Sequence, residues 1–260
     1  FLYKSSLISK NIAFICPKSL LNTPEFDNLR NYLSEFYFNS IHDYGEKAFK
    51  GVLIETISIQ FSKKKKNNNN VKIISFIDNN VFFQNQSIIQ DKKMPNWLLY
   101  RDKGFEKILL KLKFNIFDYF RDREITKKLS NNKKNGIRVL KSRNIDNLKI
   151  KNIDNYDTYI KNYKNLSVAK YLNKNLIIIP NLTYYPRAAY LPKNSICDAS
   201  VAILTPKNGE KINSKDLEYF STKEFEKFYK IARNKGTRSL NIDRNSIFFW
   251  GIKKVLSFDY

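Results

Sequence analysis

Residues 11–17, NIAFICP, form a short apolar run that stops at a proline, the pattern of a buried strand whose chain leaves at its C-terminal end. In the following NTPEFDNLRNYLSEF, Phe26, Leu29, Tyr32 and Leu33 share one face at helical spacing. Asn22 or Thr23 can cap there, Pro24 suits the first turn and Glu25 favours the positive end, so an amphipathic helix is predicted. FNSIHDY reads as a second strand. VLIETISIQF is a third, with Leu53, Glu55, Ile57, Ile59 and Phe61 opposite Ile54, Thr56 and Ser58, and VKIISFID is a fourth. The lysine and asparagine run at 62–70 is expected to be a solvated hairpin loop between the third and fourth strands.

From about Asn79 the pattern changes to a turn at 94–96, a helical stretch at 105–112 and a mixed segment leading into GIRVLKSRNI. Short β-type runs broken by Pro180, Pro186, Pro192 and Pro206 follow, and then a helix pair. Ser214 and Ser221 are its expected caps, and Leu217, Phe220, Phe225 and Phe228 its apolar faces. Strand, helix, strand and two more strands predict an α/β fold over residues 1–80, the second half of an α/β sheet that ends in an antiparallel hairpin. Residues 81–125 read as a connector, and 126–260 as a mixed α+β domain.

Composition sharpens this. The chain has 260 residues, 42% of them hydrophobic and 15% aromatic, enough for real cores, and no run long enough to span a membrane. The opening FLYKSSLISK has neither a starting methionine nor a secretory leader, so the chain is expected to be the interior of a longer protein. Cys16 and Cys197 lie far apart in apolar surroundings, as reduced core thiols of a cytoplasmic protein. His42 is the single histidine, which excludes a histidine-based triad within this chain and a structural zinc site. His42, Trp97, Trp250 and Asp198 are read as structural, Asp198 either starting a strand or buttressing an arginine such as Arg187. Seven glycines supply no glycine-rich phosphate loop.

The net charge of +23 points to a polyanion, nucleic acid first, although the abundance of Lys, Asn, Ile and Tyr is also the mark of an AT-rich coding sequence. In YGEKAFKGVLIETISIQF, Phe49 stands in a polar turn flanked by Lys47 and Lys50. Taken by itself, it reads either as a side chain folded back on the core or as a ring offered to a ligand.

In their order, IAFICPKSLLNTPEFDNLRNYL, YGEKAFKGVLIETISIQF, LKSRNI, PNLTYYPRAAYLPKN and ARNKGTRSLNIDRNSIFF resemble the C-terminal part of a gamma-class adenine-N6 DNA methyltransferase of the TaqI type, from restriction-modification systems. The resemblance implies the second half of a Rossmann-like methyltransferase sheet followed by a target-recognition domain. It implies site-specific methylation of duplex DNA, with Phe49 stacking on the flipped base. It also implies S-adenosylmethionine as cofactor, bound mainly by a segment upstream of Phe1 that would carry the cofactor loop and the catalytic Asn/Asp-Pro-Pro-Tyr/Phe tetrapeptide. Neither motif occurs here, so no catalytic or cofactor residue is carried over. The DNA-binding residues expected are Lys47, Lys50, Arg138, Lys141, Arg143, Asn181, Thr183, Tyr185, Arg187, Lys193, Arg233 and Arg238, with Asn144, Tyr184, Lys235, Asn241 and Arg244 in the same clusters. A cognate restriction endonuclease or a separate catalytic subunit is the expected protein partner. Two other readings stay open: a non-catalytic DNA-specificity subunit, and a generic basic RNA-binding protein.

Overall fold

The structure is a computed structural model that describes residues 1–64, 68–183, 185–236 and 242–254. The chain divides into two compact units, one of residues 1–106 with 230–238, the other of 107–229 with 239–260. It is a mixed α/β protein with several separate sheets.

The first unit opens with α1 (Leu2–Ile8) and β1 (Asn11–Pro17) and continues through α2 (Asp27–Leu33), β2 (Tyr37–Gly45), β3 (Thr56–Ser62), β4 (Asn70–Ser75), β5 (Asn80–Asn85) and α3 (Gln86–Ile89). Helix α4 (Lys103–Lys111) runs across its boundary. The five strands lie in the order β1-β3-β2-β4-β5. β3 runs antiparallel to both β1 and β2, β2 pairs parallel with β4, and β4 pairs antiparallel with β5. β1, β2 and β4 therefore point the same way, with β3 reversed between the first two.

This order corrects the expected hairpin. β3 and β4 are not neighbours, because β2 lies between them, so they do not form a two-strand hairpin; residues 65–67 of the expected loop lie outside the described residues. The hairpin of this sheet is β4–β5, with Ser75 opposite Asn80 and Asn79 at φ 50°. Apolar alternation fixes which face of a strand is buried, and it is silent on which strand comes alongside. The inward face is as read: Ile57, Ile59 and Phe61 are fully buried. β1 was expected to be buried, but it is the outermost strand, with Ile12 buried and Ile15 exposed. In the predicted helix, Pro24–Phe26 is a 3₁₀ turn led by Thr23, and the α-helix proper begins at Asp27.

The second unit contains β6 (Leu112–Lys113), β7 (Phe117–Arg121), β8 (Ile137–Leu140), β9 (Thr158–Ile160), β10 (Ile177–Pro180), β11 (Ala189–Tyr190), β12 (Ser195–Cys197) and β13 (Val201–Pro206). After these come α5 (Ser214–Tyr219), α6 (Lys223–Ala232), whose residues from Lys230 onward belong to the first unit, α7 (Arg244–Ile247) and β14 (Ile252–Lys253). An antiparallel sheet ordered β11-β10-β13-β7 and a smaller one ordered β12-β8-β9 share a core of Val139, Leu140, Ile178, Cys197, Val201 and Ile203. Phe220, Phe225, Tyr229 and Trp250 form a second, aromatic cluster, with Phe225 and Trp250 ring centres 5.3 Å apart. Edge-to-face packing of this kind adds to the area that the rings bury. The caps of the helix pair shift by one position from the expected serines. Asn213 caps α5, and the Thr222 hydroxyl accepts from Phe225 N at the start of α6.

Candidate nucleic-acid interface

In the first unit the parallel strands β1, β2 and β4 end at Pro17, Gly45 and Ser75. The carboxyl ends of parallel strands are where open α/β sheets place their ligands. Residues 46–55 link β2 to β3 as a hairpin loop closed by the pair Gly45 and Thr56. The last step of β2 is irregular between Asp43 and Gly45, and Gly45 takes φ 56°, a conformation open to glycine at no steric cost. Gly51, at φ 78°, turns the chain again in the loop.

This loop carries Phe49, which is 50% exposed, and beyond it Val52, Leu53 and Ile54, exposed as well. The apolar triplet 52–54 was expected within the third strand, which instead begins at Thr56. Lys47 and Lys50 are both exposed. The Lys47 ammonium donates to the Phe76 carbonyl at 2.9 Å, which ties that side of the loop to the β4–β5 turn.

Beneath the loop lies a buried polar group absent from the sequence expectation. The Lys18 ammonium, 1% exposed, meets Asp43 Oδ2 at 2.6 Å as an ion pair. Tyr100 donates its hydroxyl to the same carboxylate at 2.6 Å and also lies 3.0 Å from Ser75 Oγ, while Asp43 Oδ1 accepts from Gly45 N at 3.1 Å. Burial raises the Tyr100 phenol well above its ordinary pKa, and the adjacent Asp43 charge raises it further. Lys235 stands 4.5 Å over the Tyr100 ring and pairs with Asp78 at 2.5 Å. Lys18 directly after a strand-ending proline was a visible signal, but its partners come from three separate segments.

His42, on β2, lies with Nε2 3.3 Å from Ser40 Oγ and Nδ1 3.5 Å from Tyr44 Oη. Burial lowers its pKa, and the Lys72 charge lowers it further.

In the second unit the expected residues divide into those spent on the scaffold and those presented outward. Arg138 donates to Asp157 and to the Lys151 carbonyl, each at 2.7 Å. Asn144 is fully buried, bonded to Asp157 and Lys151. Arg187 donates Nε to the Ile145 carbonyl at 2.7 Å, Nη1 to Thr183 Oγ1 at 2.6 Å and the Tyr185 carbonyl at 3.3 Å, and Nη2 to the Ser142 carbonyl at 3.1 Å. Burial lowers its pKa, partly offset by Asp146. Asp198 does not buttress Arg187: its carboxylate takes the Ser200 amide and hydroxyl at 2.9 and 2.6 Å, and Arg187 is held by carbonyls instead. Asn181 and Thr183 are buried, Asn181 accepting from Ile242 N at 3.2 Å. Arg233 belongs to the first unit and is 8% exposed, so its guanidinium is carried inward rather than presented.

The outward group is smaller. Arg143 is exposed and lies 4.8 Å over the Tyr156 ring, with the Lys141 ammonium also 4.8 Å from that ring and donating to the Tyr156 carbonyl at 2.8 Å. Tyr185 is 58% exposed, with the Lys223 ammonium 5.5 Å from its ring. Arg143, Tyr185, Arg187, Lys151 and Lys223 line an open cleft of about 600 Å³. Lys193 is exposed at the turn before β12. Tyr156 and Lys223 entered none of the expected clusters; their positions follow from packing. Arg238, Tyr184 and Asn241 lie outside the described residues, and Arg244 opens α7.

Among the described residues no cluster of His, Cys, Asp or Glu could hold a metal ion, and no helix is long and apolar enough to cross a membrane. No protein-family model matches the chain, and no curated protein matches it. Among solved structures it is similar to the type IIL restriction-modification enzyme MmeI, determined in complex with DNA, with a TM-score of 0.50 and 10% identity over 92% of this chain. It is also similar to the type IIG restriction endonuclease BpuSI, with a TM-score of 0.45 and 13% identity over 94% of this chain. The chain spans 38% of the MmeI chain and 40% of the BpuSI chain. At such identity the likeness to MmeI is one of fold.

Proposed function

We propose that this chain is the DNA-contacting part of a site-specific adenine-N6 DNA methyltransferase of a restriction-modification system. One observation carries the reading: Phe49 stands half exposed between two exposed lysines on a loop at the carboxyl ends of the parallel strands. The order of sequence segments and the fold shared with a restriction-modification enzyme support it.

A base amino group is modified only after the base leaves the helical stack, at a cost of a few kcal/mol. An aromatic ring facing the extruded base returns about 1 to 3 kcal/mol of that. Lys47 and Lys50 attract the flanking phosphates, and Arg143, Tyr185 and Lys223 meet the duplex from the second unit. Chemistry at the amino nitrogen then depends mainly on holding the base in line with the methyl donor. S-adenosylmethionine supplies that methyl group in this reading. The residues here do not fit a site for it: the sequence has no glycine-rich loop, and the cleft sets Arg143, Lys151, Arg187 and Lys223 against only Asp146 and Glu226, a net positive lining that disfavours a sulfonium cation. The cofactor is therefore assigned to other parts of the enzyme.

The test is Phe49→Ala in the intact enzyme, with 2-aminopurine at the target position. Duplex affinity should stay within about threefold, since one stacking contact forms after binding, while the fluorescence change on flipping is lost. An unchanged signal would remove the stacking role.

A further inference from the structure

The loop that carries Phe49 has few holds of its own. Within it the Lys47 amide donates to the Tyr44 carbonyl at 3.1 Å and the Val52 amide to the Phe49 carbonyl at 3.3 Å, while the apolar side chains 52–54 face outward. Its two stems, however, are joined by a residue from outside the hairpin. Lys18 follows β1, which pairs with β3 so that Pro17 stands opposite Thr56, and the Lys18 amide continues that ladder by donating to the Glu55 carbonyl at 2.8 Å. Its side chain then crosses under the mouth of the loop to Asp43 on β2, 2.6 Å away, and also lies 3.8 Å from the Glu55 carboxylate. Asp43 in turn holds the Gly45 amide from which the loop departs. Tyr100 fixes the remaining side of the carboxylate from a third segment. One lysine thus spans both ends of residues 46–55, through its backbone at one stem and its ammonium at the other.

We propose that Lys18, seated by Asp43 and Tyr100, is a positioning residue that sets where the 46–55 loop holds Phe49. Its functional consequence rests on the base-stacking reading above, whereas the clamp itself is a property of the fold. A buried ion pair with three anchored partners has a single low-energy geometry, and the loop inherits that geometry at its base.

The experiment is residue-resolved amide hydrogen exchange on the intact protein, reading the hydrogen-bonded amides of Lys18, Lys47 and Val52 against those of β4 and β5. Lys18→Met should speed exchange at these three amides at least tenfold more than at β4 and β5. Wild-type rates at those amides would overturn the proposal. Should Lys18→Met lose protection throughout the sheet, Tyr100→Phe decides, since it removes one hydroxyl and keeps the ring. A rise of about threefold confined to the loop supports the clamp, and an unchanged or sheet-wide rate overturns it. In the intact enzyme the same variants should lower kcat with duplex affinity unchanged, the split expected of a misplaced ring. An intact 2-aminopurine response in Phe49→Ala would defeat the stacking reading, and hydrogen exchange would still decide the clamp by itself.

Discussion

Replacing Asp43 by asparagine removes a charge while keeping the shape of the side chain, and leaves the Lys18 ammonium, 1% exposed, without its nearest counter-charge. At an effective dielectric of about 20, unit charges 2.6 Å apart attract by roughly 6 kcal/mol. Relaxation toward the Glu55 carboxylate, 3.8 Å away, returns part of this. Removing one member of a buried pair costs about 3 to 5 kcal/mol in general. Asparagine keeps one acceptor oxygen for the Gly45 amide, and its NH2 can donate to the Tyr100 oxygen while that hydroxyl turns to Ser75 Oγ, 3.0 Å away, which places the expected loss at the lower end, about 3 kcal/mol. The assay is native-state hydrogen exchange at Ile57, Ile59 and Phe61 in β3, fully buried residues on a strand paired on both sides. A loss of about 3 kcal/mol appears there as roughly 150-fold faster exchange. Adding Lys18→Met should recover most of the loss, because the stranded charge is gone and a buried pair contributes little beyond an apolar one. A single-variant loss below about 0.5 kcal/mol, or a double variant as weak as the two losses summed, would refute the assignment of the stability to the charge pair.

Arg187→Ala should lower the thermal midpoint of the second unit through a loss of about 2 to 3 kcal/mol, since four hydrogen bonds to loop oxygens disappear together. Arg187→Lys should not rescue it, because an ammonium cannot bridge those carbonyls as a planar fork does. Duplex affinity should then fall equally on all sequences; a loss confined to one base position would show direct readout instead. Desolvation pushes the half-buried Cys16 thiol up to about 12, so at pH 8 its alkylation by iodoacetamide should be about a thousandfold slower than that of a free cysteine, and a ratio under about tenfold would contradict that shift. The same shift makes stability fall as pH rises from the ordinary thiol range toward 12, because the unfolded chain releases the proton first.

Where a local rule decides an element, the sequence is legible. Pro17 ends β1 at the expected residue, and the apolar spacing of Leu217, Phe220, Phe225 and Phe228 picks out side chains that are buried. At Phe49 the local sequence left two readings open, and the structure leaves the ring half exposed. Periodicity failed at Val52–Ile54, which have the composition of a strand and the exposure of a loop, because nothing local distinguishes an apolar side chain facing solvent from one facing a core. It failed again at the neighbour of β4, since a parallel pairing with β2 leaves no mark on the intervening loop. The meeting of Lys18, Asp43 and Tyr100 left no mark either, although Lys18 directly after Pro17 is conspicuous. They meet only because three strand ends and the segment around Tyr100 converge.

The net charge of +23 resolves by side-chain type once the partners are known. Arg30 donates to the Leu20 and Thr23 carbonyls and pairs with Asp27, Arg101 clasps Asp91 and Glu106, and Arg138 and Arg187 each join separate loops. A guanidinium suits this work because its planar fork satisfies several oxygens at once, whereas a lysine offers one compact charge on a flexible stem. The arginines that sequence reasoning assigns to base edges are in large part the ones that hold the polar loops in shape. Under the proposed DNA-contacting role, exposed lysines such as Lys47, Lys50 and Lys193 would supply the long-range, sequence-independent attraction to phosphate. On the same proposal, discrimination between sequences would come from side chains with polar or aromatic surface left over, which in the second unit are Arg143 against Tyr156 and Tyr185 beside Lys223. Arg143, Tyr156 and Tyr185 sit on or beside the loops that Arg138 and Arg187 brace, so that surface can vary at its exposed positions while the braces keep its geometry.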